Sequence, residues 1–262
     1  MRKNIYFDFG LDMSITNRVK KIKQAGFDGV FIWFYEDHFL LNEVITSIKA
    51  NGLYIETMHL PFHHCNDLWV AGEAGEHYVQ NIIDGIRVAA EATIPTVIMH
   101  TVSKKTHPDY NPLGLKRIQK ILDYCEEKKV QLAIENVRDI RYLDYVFDHV
   151  ASPYLKICFD TGHTNCFGYQ VNDFNWDKYK KDIVAVHIHD NDGKDDQHLL
   201  PFYGTINWEG IMKKLKQISF SAPLTSEARI LDPRFSFTAE EFLRKTYQAL
   251  STLEQLFEDT HE

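Results

Sequence analysis

The sequence predicts a single (β/α)8 barrel spanning residues 1–262 as one domain. Three observations predict it. Short apolar runs rich in Ile, Val and Leu alternate with amphipathic helical stretches along the whole chain. The runs lack strict polar alternation, as suits parallel strands buried on both faces. The length of 262 residues fits this fold, for which about 250 is typical.

In order, the first strand is expected at Asn4–Phe9 and the first helix at Thr16–Ala25, stopped by Gly26, which adopts a left-handed cap without steric penalty. Strand two spans Gly29–Phe34, and a helix over Phe39–Ala50 ends at Asn51-Gly52. Strand three is Tyr54–His59, after which Pro61 forces an exit from the ladder. The helix Ala74–Ala92 carries Val79, Ile82, Ile83, Ile86, Ala89 and Ala90 at spacings of three and four.

Strand four, Thr96–His100, is followed by a polar loop and a helix over Leu115–Lys128. Strand five is Gln131–Asn136, with a helix over Tyr142–His149 closed by Ser152-Pro153. Strand six is Leu155–Asp160, a short helix lies near Trp176–Lys181, and strand seven is Ile183–His189. A long loop, Asp190–Thr205, leads to the helix Trp208–Gln217, strand eight at Pro223–Ser226 and a last helix, Ala239–Phe257. No GxGxxG follows the first strand, which argues against an open doubly wound sheet.

A formal charge of −8 promises no broad basic surface and weighs against tight binding of nucleic acid. Cys65, Cys125, Cys158 and Cys166 show no CxxC spacing and read as free thiols in a reducing compartment. No apolar stretch approaches membrane-spanning length and no leader-like segment opens the chain, so a cytoplasmic location is expected.

The polar residues at strand ends carry the chemistry. YIETMHL ends in His59, TVIMHTV in His100, QLAIENV in Glu135, LKICFDTGH in Asp160 and His163, IVAVHIHDN in His187 and His189, and LTSEA in Glu227. Parallel strands share one C-terminal face, so all of these converge on one mouth. Carboxylates crowded there require a cation or shared protons, and the neighbouring imidazoles favour a cation. Oxygen and nitrogen donors without thiolate suit Mn, Co, Mg or Zn. His187 and His189 differ by two and point to the same side; one binds metal while the other supports it or touches substrate. Trp33, Phe62 and Trp208 are candidate substrate-facing rings, with Phe34, Trp69 and Phe202 beside them, although aromatics also fill cores. Glu36 and His38 read as a solvated loop. Lys156 shares parity with Asp160 and needs a buried partner.

The segments IEN, CFDTGH, HIHDN, DQH (Asp196–His198) and SEA resemble the xylose isomerase-like barrel superfamily, in order and from His59 to Glu227. That grouping holds sugar isomerases, ketose 3-epimerases, inosose and dehydroshikimate dehydratases, and endonuclease IV-type nucleases. In its epimerase branch the resemblance implies one divalent metal held by Glu135, Asp160, His187 and Glu227. Glu135 and Glu227 then double as the catalytic acid–base pair. In the endonuclease branch it implies two to three zinc ions, with His59, His100, His163, Asp196 and His198 as additional ligands. The branch of epimerases often places an arginine after the strand-seven histidine, where this chain offers only Lys194.

The expected activity is therefore a divalent-metal-dependent sugar, sugar-phosphate or polyol isomerase or epimerase, with His163 and His189 orienting substrate oxygens. A multinuclear phosphodiesterase and a metal-dependent dehydratase are the alternatives, and a non-enzymatic sugar-binding barrel is carried behind them. A small unphosphorylated sugar or polyol is the expected partner, and self-association into a homo-oligomer is compatible. Neither nucleic acid nor membrane is expected as a partner.

Overall fold

In a computed structural model describing residues 1–230 and 236–260, eight parallel strands close into a barrel in sequence order. They are β1 (Lys3–Tyr6), β2 (Gly29–Trp33), β3 (Tyr54–His59), β4 (Thr96–Met99), β5 (Gln131–Glu135), β6 (Leu155–Asp160), β7 (Ile183–Ile188) and β8 (Leu224–Ser226). Pairing of Asn4 with Thr225 and Ile5 with Ser226 shuts the ring.

Among the described residues the helices are α1 (Ile15–Gln24), α2 (His38–Ala50), α3 (Glu73–Glu91), α4 (Pro112–Lys128), α5 (Ile140–His149), α6 (Thr161–Cys166), α7 (Trp176–Tyr179), α8 (Trp208–Gln217) and α9 (Ala239–Asp259). Their starts follow side-chain chemistry. Ser14, Asp37, Asn111, Asp139 and Asn207 each accept a backbone N–H of the first turn. Thr238 and Glu241 form a reciprocal capping box on α9. Gly26 stops α1 as expected, at φ +96°.

The longer helices lay apolar stripes on the strands. On α3 this stripe includes Val79, Ile82, Ile86 and Ala89, all buried. A smaller cluster, Ile98, Ala133, Cys158 and Ala185, fills the barrel interior. Lys156 finds its partner in Asp182, at 2.9 Å. All four cysteines are free thiols, and no described helix is long and apolar enough to cross a membrane.

Three local features depart from the expected elements. Strand one ends at Tyr6, although Phe7 and Phe9 remain buried beyond it. The helix α6 and a 3-10 turn at Cys65–Trp69 were not expected. The α6 segment, TGHTNC, has no apolar period to announce it; it forms because Asp160 caps it, accepting from the His163 N–H at 2.7 Å.

Candidate metal centre

Strand alternation aims the polar residues at one point. Ile98, Ala133, Cys158 and Ala185 face the interior, so His100, Glu135, Asp160 and His187, two residues further on, face it one layer higher. His59 ends β3, while His189 and Glu227 lie just past the ends of β7 and β8.

The result is a continuous cluster. Glu135, Asp160, His187 and Glu227 bring one donor atom each within 4.8 Å of one another. His187 Nδ1 lies 3.4 Å from Glu135 Oε1 and 3.2 Å from Glu227 Oε2. The other Glu135 oxygen, Oε2, faces His59 Nε2 at 3.3 Å and His100 Nε2 at 3.0 Å. Glu135 thus belongs to two donor groups at once. Across the mouth, Asp196 Oδ2 sits 3.4 Å from His163 Nε2 and 3.5 Å from His198 Nε2. His189 Nε2 is 3.1 Å from Asp160 Oδ2, joining this group to the centre.

Several rings are oriented for ligation. The Nδ1 atoms of His59, His163 and His198 sit 2.7, 3.1 and 3.2 Å from the carbonyls of Leu60, Asn136 and Glu227. Donation there fixes the tautomer and leaves each Nε2 lone pair aimed into the cluster. Trp33 stacks on His59 at 4.5 Å and Phe31 on His187 at 4.6 Å, holding both rings.

The donors fit a divalent cation. Asp196 Oδ1 is buried without a hydrogen-bond partner, 3.7 Å from His189 Nε2. Burial opposes ionisation of Glu135, yet the imidazoles of His187 and His100 hold its carboxyl well below the usual range. Glu227 is likewise lowered against burial, chiefly by His187, and Asp196 chiefly by His163. Burial also opposes protonation of His163 and His189, but Asp160 and Asp196 outweigh it and raise them to about 10 and about 9. His100 is lowered, because its burial outweighs Glu135. Paired charges of this kind are costly to keep dry without a counter-ion of higher charge.

Asp196 and His198 ride on the loop after β7, and Asp190 pins that loop. Buried Asp190 accepts from the N–H groups of Asn191, Phe202 and Ile206 and from Trp208 Nε1, all at 2.9–3.2 Å. Asp190→Ala leaves these donors unpaired, each at a cost of about 1–3 kcal/mol. The expected outcome is a lower Tm with reduced metal content, read by calorimetry and elemental mass spectrometry; an unchanged Tm would remove Asp190 from this role.

Trp33 and Phe62 line the central cavity of about 190 Å³. Trp208 does not line it: its indole is buried and spent on Asp190. Trp69 is similarly occupied, donating to the Thr101 carbonyl, and Phe202 is exposed. Glu36 and His38 are both exposed; Glu36 lies in a loop as expected, whereas His38 opens α2. The cavity also contains Tyr6, Arg138 and Arg229, which sequence reasoning missed. Arg229 follows Glu227 by two and shares its parity, which is the signal that was available.

The curated relatives are uncharacterized proteins. One from Sinorhizobium fredii is 25% identical over 201 residues, covering 70% of this chain. This chain spans only 61% of that relative's length. One from Methanocaldococcus jannaschii is 26% identical over 263 residues, covering 90% of this chain and 85% of its own. Among solved structures, a D-tagatose 3-epimerase-like protein superposes with a TM-score of 0.77 at 22% identity, covering 98% of this chain and 97% of its own. A D-psicose 3-epimerase from Clostridium cellulolyticum H10, solved with D-tagatose, gives 0.75 at 14% identity, covering 98% and 99%. At such identities the likeness is one of fold. The family model for the xylose isomerase-like TIM barrel, in contrast, matches residues 19–246, and the chain belongs to that family.

Proposed function

We propose that this chain is a divalent-metal-dependent isomerase or epimerase of a small sugar or polyol, acting by proton abstraction beside a carbonyl. One observation carries the reading. Glu135, Asp160, His187 and Glu227 gather their donor atoms within 4.8 Å at the open mouth of the barrel. Two of these carboxylates come from strands three places apart in the ring.

A divalent cation held by these four residues supplies Lewis acidity, which acidifies a proton next to a substrate carbonyl. The remaining chemistry belongs to the chain. Glu227 keeps Oε2 against His187 and, among the described residues, has no hydrogen-bond partner at Oε1, which is therefore available to a substrate C–H. Its lowered pKa keeps it ionised, and a carboxylate so weakened as a base requires an acidified substrate proton. Glu135 faces the same space from β5 and, ionised at rest, is the partner that returns a proton after taking one from solvent. His163 and His189 face the same space and orient substrate oxygens. The cavity of about 190 Å³ is below the usual 300–1,000 Å³ of ligand clefts, which favours a small substrate. A dehydratase would use the same first step and differ only in what leaves next.

A second reading has its own observation. His59 and His100 close on the outer oxygen of Glu135, and His163 and His198 close on Asp196. Occupancy of those groups by further cations would suit a multinuclear phosphodiesterase of the endonuclease IV type.

Protein purified without added metal, analysed by elemental mass spectrometry and then incubated with ketoses in D2O, separates the two. Near one Mn, Co, Mg or Zn per chain, with deuterium entering beside the carbonyl, is the expected result. Two to three zinc ions per chain, with phosphodiester cleavage and no deuterium uptake, would overturn it.

A further inference from the structure

Two arginines share the central cavity with the carboxylate cluster, and neither has an acid partner among the described residues. Arg138 lies on the loop after β5 and Arg229 on the loop after β8, and both line the cavity wall. Among the described residues, the other arginines that are not exposed are all paired: Arg18 with Asp8, Arg87 with Glu91 and Arg117 with Glu76. Among the described residues, no carboxylate lies within 4.0 Å of Arg138 or Arg229.

Their donors are nearly unspent. Arg138 uses only Nε, on the Ser103 carbonyl at 2.5 Å, and its guanidinium lies over Phe167 at 4.5 Å. Arg229 makes no side-chain hydrogen bond among the described residues, and its Nε is buried and unpartnered. Its guanidinium sits over Tyr6, at 5.5 Å, which fixes the plane without satisfying the fork. A guanidinium offers five N–H donors in a geometry matched to carboxylate and phosphate oxygens. Stacking on aromatic faces pre-orients both forks for such a ligand.

Charge balance does not account for them. Imidazoles already face Glu135, Asp160, Asp196 and Glu227, and a bound cation would neutralise these carboxylates further. Beyond Arg138 lies a shelf bearing Lys105, His107 and Lys194, with Asp195 and Asp196 beside them. The expectation of an unphosphorylated substrate rests on the lack of a phosphate-binding motif in the sequence and takes no account of these cavity arginines.

We infer that the substrate carries an anionic group, a carboxylate or a phosphate, which Arg229 and Arg138 bind from two walls of the cavity. The inference rests on the sugar isomerase reading and narrows its substrate class to sugar acids or sugar phosphates. The reactive carbonyl then lies towards Glu227 while the anion is held by the arginines.

The test is equilibrium binding to the metal-loaded protein, by calorimetry, of D-fructose, D-glucuronate and D-fructose 6-phosphate. Arg229→Met, Arg138→Met and the conservative Arg229→Lys are measured alongside, each checked for Tm and metal content. The expected result is that one charged ligand binds at least about tenfold more tightly than D-fructose, the scale of a charge-assisted bidentate contact. Preference for D-glucuronate identifies the carboxylate, and preference for D-fructose 6-phosphate the phosphate. Each methionine variant should abolish that preference at unchanged metal content, with partial rescue by lysine. If the three ligands bind alike, or the preference survives in both methionine variants, the inference is overturned. Deuterium exchange is followed separately. Exchange with D-fructose that is indifferent to the arginines keeps the isomerase reading and defeats the anion site. Arginine-dependent binding without exchange does the reverse.

Discussion

Replacing Glu227 with Gln is expected to lower kcat by about 10²–10⁴-fold, the usual contribution of a positioned acid or base. The substitution keeps the shape of the side chain and removes only its capacity to take a proton. Glu227 is the carboxylate best suited to that task, because Oε2 rests on His187 at 3.2 Å while Oε1 is left to the cavity. Glu135 differs: imidazoles face both of its oxygens, His59 and His100 on one side and His187 and His163 on the other. Glu135→Gln should therefore reduce metal content first and turnover as a consequence. Glu227→Gln should retain more metal and lose proton exchange. Metal content and deuterium uptake, measured on the same preparations, distinguish the two losses. Near-parental turnover in Glu227→Gln would refute its assignment as the base.

The barrel and most of the site were legible because both depend on short-range periodicity. Apolar runs marked the strands, and the polar residue ending each run marked the mouth. What escaped depends on contacts distant in sequence or on breaks in the period. The β2–β3 register shifts between Val30 and Phe31, so that Phe31 pairs with Thr57 while Val30 pairs with Ile55. That bulge places Glu56 against Asn4 and Thr225 inside the barrel, where burial raises its carboxyl to about 7. Simple alternation along β3 gives no warning of it. Trp208 looked like a sugar platform by residue type, but its indole answers to Asp190, 18 residues earlier. Arg138 and Arg229 lie beyond the strands that a pattern can delimit, and only the closed barrel brings them to one cavity.

Removal of divalent cations is expected to reverse the pH dependence of stability above neutrality. In the metal-free protein His163 and His189 are raised from 6.5 to about 10 and about 9. Groups raised on folding contribute stability that is complete below pH 6.5 and lost as pH climbs through 9 to 10. Glu135, Glu227 and Asp196 are lowered from 4.5, 4.5 and 3.8. Their contribution is present above those values and lost as pH falls through the folded-state ones. The metal-free protein should thus be most stable near pH 5–6.5, with a Tm that declines on the alkaline side. Cation binding requires neutral imidazole and ionised carboxylate, so affinity rises over the same alkaline interval. At a hundredfold excess over Kd the gain is about 2.7 kcal/mol, or roughly 5–10 °C in Tm for a chain of this size. Calorimetric Tm values between pH 5 and 9.5, with chelator or with Mn²⁺, give the comparison. The two curves should diverge as pH increases. A metal-free Tm that rises above pH 6.5 would mean that the carboxylates do not raise these imidazoles; a chelator without effect on any Tm would mean that the two sets pair only with each other and hold no cation.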